Sequence, residues 1–323
     1  MESRKTQIIN LWRTVFDDSG EFLRLYFSKV YRDENTFVIE KNGQVVSALQ
    51  LLPYTMSFCG EEISVAYISG ACTLPSEQGK GWMSRLLQDV SAEMRKRRVA
   101  VGVLIPAGKG LFDYYRSKGY TEIFDYSLGV YARSKDCIPP APAVAVQQKK
   151  EPDKTLYAYF ARKQRERPLG VLHSYEDFAV VLKDMELSGN FFYVASDLAG
   201  QPVGMAFAFL AGGTGADDGR KRILIKEILY DGIPVRDTLL HEITVRLGAD
   251  EAVYRIPCDR RSPTYPYGMA QVTDPERLIN LWIAAHPESK LSANCLQAMD
   301  TPALTRHLLG YPERKAYMSL MLD

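Results

Sequence analysis

The sequence predicts an α/β chain. It reads as two copies of a mixed-sheet unit, joined by a linker and followed by a small C-terminal α+β segment. Three observations carry that prediction. Amphipathic helical runs alternate with strand-like runs. An ordered series of elements in the first half recurs in the second. The chain's 323 residues exceed one ordinary core.

The first copy opens with two amphipathic helices, "KTQIINLWRTVF" at 5–16 and "GEFLRLYFSKVY" at 20–31, whose apolar residues recur at spacings of three and four. Three strands follow within "TFVIEKNGQVVSALQLLPYTMSFCGEEISVAYISGACTL", turned at the Asn-Gly of "KNGQ" and at "FCGEE". A helix then runs to Lys96, "VAVGVLIP" is a buried strand, "GKGLFDYYRSKG" a short helix and "YTEIFDYSLGVYAR" a long strand. The domain expected here spans 1–135. Residues 136–152, rich in Pro and Ala and then polar, read as the linker.

The second copy is expected at 153–257. Gln44 matches Gln201, Leu86 matches Leu239 and Pro106 matches Pro257, each within the same succession of helix, strands, helix and strand closing on Ile-Pro. The spacing between counterparts shortens along the chain, and most of the loss precedes the Leu-Leu helix. Where the first copy has "LPSEQGKGWM", the second has "DGIPVRDT". Residues 258–323 read as the C-terminal segment. Its helices are "DPERLINLWIAA", with Asp274 as N-cap and Pro275 in the first turn, and "TPALTRHLLG". It ends on the apolar run "AYMSLMLD", expected to be packed.

Composition narrows the function. Net charge is +1, so no global field draws in nucleic acid or an anionic membrane. The five cysteines, Cys59, Cys72, Cys137, Cys258 and Cys295, are scattered, with no C-x-x-C pair, which fits free thiols in a reducing cytoplasm. Neither a signal-type apolar segment nor a run long enough to span a membrane is present, and the four histidines fit no metal spacing. "RKRR" at 95–98 suits a helix C-terminus. "ARKQRER" at 161–167 reads as an exposed helix face, and "GGTGADDG" at 212–219 as a hairpin loop.

The chemistry concentrates in "PSEQGKGWM" at 75–83. Gly79 and Gly81 allow close backbone approach and unusual dihedrals. The helix that starts here offers unpaired N–H groups and the positive end of its dipole, a combination that binds phosphate. Gln78 and Lys80 add a donor and a charge. The loop is neither a Walker A motif nor a three-glycine dinucleotide loop.

A strand, a Q-x-x-G-x-G/A-like loop, a helix, a strand and then "FDYYRSKGY" resemble the GNAT superfamily of acyl-CoA N-acyltransferases. The match runs Gln78-Gly79-Lys80-Gly81-Trp82-Met83 and departs at Met83, where a small residue is usual. The resemblance implies that this loop holds the pyrophosphate of acetyl-CoA, a cosubstrate used without a metal. It also implies that backbone groups of Ala71, Cys72 and Thr73 pair with pantetheine. Within Tyr115-x-x-x-Gly119-Tyr120, it makes Tyr115 the acid that protonates the leaving thiolate, a role suited to a thiol of pKa about 8.5. Cys72 itself reads as a small buried hydrophobe. Glu61 and Glu62 read as a solvated turn.

Duplication with a C-terminal extension resembles the Eis (enhanced intracellular survival) type, which pairs an active GNAT domain with a degenerate one and a sterol-carrier-like domain, here much reduced. That resemblance implies a base at the terminal carboxylate, here Asp323. The expected activity is a cytoplasmic N-acetyltransferase acting by direct attack of an amine, on a small molecule or a protein, with homo-oligomers open. The alternatives are a catalytically silent acyl-CoA sensor or lipid-carrying module, and an aminoacyl-tRNA-dependent aminoacyltransferase.

Overall fold

The structure, a computed structural model, describes residues 2–133, 144–210, 219–258 and 262–322. Helices α1 (Arg4–Val15) and α2 (Gly20–Lys29) are each started by a serine, Ser3 and Ser19, whose hydroxyl accepts an N–H of the first turn. They lead into β1 (Thr36–Lys41), β2 (Gln44–Phe58) and β3 (Glu61–Thr73). Both expected turns are present: Asn42 and Gly43 take positive φ between β1 and β2, and Cys59 and Gly60 do so between β2 and β3. Then come α3 (Trp82–Lys96), β4 (Val101–Leu104), α4 (Lys109–Arg116) and β5 (Thr121–Ala132).

The second repeat comprises β6 (Ala145–Lys149), α5 (Lys154–Arg165), β7 (Leu169–Leu172), α6 (Tyr175–Leu187), β8 (Phe191–Ser196), β9 (Pro202–Leu210), β10 (Arg222–Tyr230), α7 (Ile233–Arg246) and β11 (Glu251–Pro257). The end of the expected linker is therefore not free chain: β6 pairs antiparallel with β8. Residues 136–143, with Cys137, lie outside the described residues, as does most of the 212–219 loop. The four described cysteines are free thiols.

Residues beyond the second repeat form β12 (Thr264–Val272), α8 (Pro275–Ala285), α9 (Ala293–Gln297), α10 (Thr301–Leu308) and β13 (Ala316–Tyr317). The C-terminal segment has the expected α+β content, but it is not a separate unit. Strand β12 enters the first repeat's sheet between β4 and β5, antiparallel to both. Sequence reading missed it because Pro266 and Gly268 look like strand breakers; register shifts on either side of Gly268 absorb them. Gly268 packs closely, since a Cβ there would fall 2.4 Å from the end of the Met318 side chain and 3.3 Å from the Leu104 carbonyl oxygen.

Among the described residues the strands form one sheet, ordered β13-β7-β2-β3-β4-β12-β5-β11-β10-β9-β8-β6, with β1 beside β2. Strand β5 joins the repeats: it pairs with β12 near its start and with β11 over Tyr126–Ala132. One face of the first repeat packs α1, α2, α8 and α10 through Leu11, Tyr26, Leu278 and Leu304; the other packs α3 and α4 through Leu86, Val90 and Tyr115. In the second repeat α7 covers one face, and α5 with α6 cover the other.

Candidate active site

Two strand features open the first repeat. Gly70 and Ala71 together face Leu49 in the β2–β3 ladder, a bulge that bends β3. Gly70 takes φ of +59°, and a Cβ there would fall 2.2 Å from the Trp12 ring, so only glycine fits. The parallel pairing of β3 with β4 ends at Ile68↔Leu104, while β3 continues to Thr73. Beyond that point the two strands part, and one edge of β3 has no β4 partner.

That edge is selective about which groups it offers. The Cys72 carbonyl accepts the Ser47 hydroxyl at 3.1 Å and so points toward β2. Backbone groups alternate along a strand, which turns those of Ala71 and Thr73 to the open side; the Thr73 carbonyl accepts from the Gln78 amide at 3.4 Å. Cys72 thus differs from its expected pairing role. Its thiol is buried, and burial pushes it up to about 12, so it is no thiolate at neutral pH.

The loop after β3 is a 3₁₀ turn at Pro75–Glu77, then Gly79 at φ +74° and Gly81 at φ +82° as N-cap of α3. A Cβ on either glycine would point into open space, so the dihedral, not crowding, requires glycine. The first intrahelical bond runs from the Arg85 N–H to the Gly81 carbonyl. The N–H groups of Trp82, Met83 and Ser84 precede it at the helix's positive end, which suits an anionic ligand. Lys80 is not the free cation that the sequence suggests. It pairs with Glu77 at 3.0 Å, as does Lys41. Hydrogen bonds from Lys41, the Trp82 indole and Lys80 hold the Glu77 carboxyl down at about 2. Met83 packs beside the α3 core rather than in the loop's mouth.

Between the parted strands and α1–α2 lies a cleft of about 560 Å³. Ala71 lines it from β3, Tyr115 from α4, Trp12 and Phe22 from the N-terminal helices, Tyr267 from β12 and Leu322 from the C-terminal segment. Tyr115 is buried, and that burial, with Tyr114 beside it, pushes its hydroxyl up to about 12. It stays protonated across the physiological range, as a proton donor must. Tyr114 turns away and meets the Ser84 hydroxyl at 3.2 Å. Glu62 is ion-paired with Arg165. Asp323 lies outside the described residues; Leu322, beside it in sequence, reaches the cleft.

The second repeat has the same plan with other contents. The β10–β11 pairing ends at Ile225↔Tyr254, and a bulge follows between Ile225 and Glu227. The loop to α7 is reduced to Asp231 and Gly232, and Asp231 pairs with Arg162 and Lys163. A fixed carboxylate thus stands where the first repeat has open N–H groups. In the parted region Arg167 meets Glu227 in a two-pronged ion pair at 2.8 and 2.9 Å. The stretch expected to be an exposed helix face therefore sends Arg167 inward. The sequence held no local signal for this, because the partner is 60 residues away.

The class so defined is an α/β domain in which an open strand edge and a protonated tyrosine line one cleft, with a glycine loop at a helix start beyond the end of that strand. Residues 1–123, within the first repeat, match the family model of an acetyltransferase (GNAT) domain. No curated protein matches the chain in sequence. Among solved structures it is similar to a GCN5-related N-acetyltransferase from Anabaena variabilis, at 16% identity over 86% of this chain and 73% of that one, TM-score 0.69. A conserved protein of Enterococcus faecalis, a probable N-acyltransferase, is similar at 16% identity over 84% and 70%, TM-score 0.67. Eis1 from Mycobacterium abscessus is similar at 10% identity over 86% and 74%, TM-score 0.63. At these identities the likeness establishes a shared fold. Among the described residues no helix is long and apolar enough to cross a membrane.

Proposed function

We infer that the chain is an acyl-CoA-dependent N-acyltransferase, using acetyl-CoA and acting in the cytoplasm on an amine carried by a small molecule or a protein. The observation that carries this reading is that the open β3 edge at Ala71 and the protonated Tyr115 line one cleft, with the glycine loop at the end of the same strand. Acyl-CoA supplies an activated thioester. The N–H groups of Trp82, Met83 and Ser84, with the loop of Gln78, Gly79, Lys80 and Gly81, are suited to hold its pyrophosphate. Backbone groups of Ala71 and Thr73 are suited to pair with its pantetheine arm.

The amine attacks the thioester carbonyl, an N–C bond forms and the C–S bond breaks. Tyr115 gives its proton to the departing sulfur and regains one from solvent. The proton lost by the amine goes to a carboxylate. Asp323 is the proposed base, supported by the entry of Leu322 into the cleft. Holding both reactants in one cleft supplies much of the rate.

Replacing Tyr115 with Phe tests the reading. Turnover should fall about 100-fold while the Kd for acetyl-CoA, measured by calorimetry, stays within about twofold. Wild-type turnover should show no descending limb from Tyr115 as pH rises until about 12, where the group would deprotonate. Unchanged turnover in Tyr115→Phe removes the acid role. Acetyl-CoA binding without turnover on any amine of a broad panel would favour the silent sensor.

A further inference from the structure

The second repeat's parted strands hold the chain's own C-terminal segment. Residues Ala316 to Met321 are all buried. β13 lies parallel to β7, with Tyr317 opposite Gly170. The Arg167 guanidinium stacks on the Tyr317 ring at 4.0 Å, and the Ser319 hydroxyl donates to Glu227. Glu227 therefore takes bonds from Arg167, Ser319 and the Ile228 N–H. Past Ser319, the Leu320 carbonyl faces His173 Nε2 at 3.2 Å. A carbonyl only accepts, so Nε2 carries the proton. Nδ1 then accepts from the Gln164 amide at 3.0 Å, and the oxygen of that amide accepts the His173 N–H. Two residues further on, Leu322 lines the cleft that contains Tyr115.

We propose that Glu227, Arg167 and His173 form a clamp in the second repeat that positions residues 316–322, and through them the C-terminal wall of the first repeat's cleft. They are positioning residues. None lines the Tyr115 cleft, yet each fixes a point on the segment that does. The side chains divide the work: Met318 and Met321 enter the first repeat's core, Leu320 enters the second's, and Ser319 meets the carboxylate between them. The second repeat thus holds a piece of the chain beside its parted strands, and the segment carries that fixed geometry into the active cleft. This proposal rests on the acyltransfer reading of the first cleft for its effect on turnover, but the clamp itself has a separate readout.

The test uses the full chain with Ser319→Ala and Glu227→Gln, set beside Ile243→Ala, which trims the second repeat's other core, a cluster that holds no residue of 316–322. Hydrogen exchange at amides 316–322 should accelerate at least tenfold in both clamp variants and stay at wild-type rates in Ile243→Ala. With acetyl-CoA and the best amine of the panel, both clamp variants should keep acetyl-CoA affinity within about twofold. The amine KM should rise, or kcat fall, at least tenfold, and Ser319→Thr should restore most of the loss. Ile243→Ala should lower Tm and change neither constant. Unaltered exchange at 316–322 in Ser319→Ala overturns the clamp. Accelerated exchange with unchanged amine kinetics overturns its role in the cleft. A wild-type chain that neither binds nor turns over acetyl-CoA instead overturns the acyltransfer reading and with it the effect on turnover, while the exchange arm still decides the clamp.

Discussion

The two repeats split their sheets at the same place and fill the gap differently. In the first, a bulge at Gly70 and Ala71 leaves a cleft of about 560 Å³ beside a loop of two left-handed glycines. In the second, the bulge presents Glu227, and the region beyond holds Arg167, Tyr317 and Ser319. The helix starts differ in the same sense. That of α3 offers N–H groups ahead of its first intrahelical bond, whereas that of α7 is preceded by Asp231, already paired with Arg162 and Lys163. The same architecture becomes an open cleft or a structural joint according to what its bulge and loop present. A short side chain with free backbone makes room for a ligand; a buried carboxylate demands a partner of its own.

The largest effect expected from breaking this contrast is in the second repeat. Glu227→Ala leaves the Arg167 charge buried without its partner, and should cost about 3–5 kcal/mol of stability in chemical denaturation. Tyr115→Phe, in the open cleft, should cost under about 1 kcal/mol by the same measurement, since the Tyr115 hydroxyl aids the proposed chemistry rather than the fold. A smaller effect is expected at the loop. Gly81→Ala forces an L side chain into φ +82°, a strain of about 1–2 kcal/mol, and should weaken acetyl-CoA binding about tenfold by calorimetry. A loop that served only as a turn would lose stability and keep its affinity. The smallest is expected at Lys80. Its ammonium is shared with Glu77 on an exposed surface, so Lys80→Ala should change acetyl-CoA affinity less than about threefold. A loss beyond tenfold would mean that the lysine leaves Glu77 for the ligand.

Much of the first repeat was legible because its signals are local. Asn42-Gly43 dictates a hairpin turn, the serines ahead of α1 and α2 mark helix starts, and the two loop glycines precede a strongly amphipathic helix. The places of the glycine loop at the start of α3 and of Tyr115 on α4 were legible for the same reason, since each belongs to a short stretch with local signals. The edge was read less well. Whether Cys72 faces a ligand or β2 depends on ladder register and on one hydroxyl 25 residues away, that of Ser47. The inward turn of Arg167 and the strand at Thr264–Val272 were illegible, because their partners come from distant parts of the chain and their local residues point the other way.

The sequence by itself determined the α/β class, the likeness of residues 1–123 to GNAT acetyltransferase domains and the glycine loop ahead of α3. Helical period, turn chemistry and glycine dihedrals act between residues close in the chain, so they are written in it directly. Only the tertiary structure decided that the C-terminal segment is no separate unit but runs past Arg167 and Glu227 of the second repeat and reaches the first repeat's cleft at Leu322. Buried charges and packed apolar side chains choose partners by proximity in space, and those contacts exist only once the chain has folded.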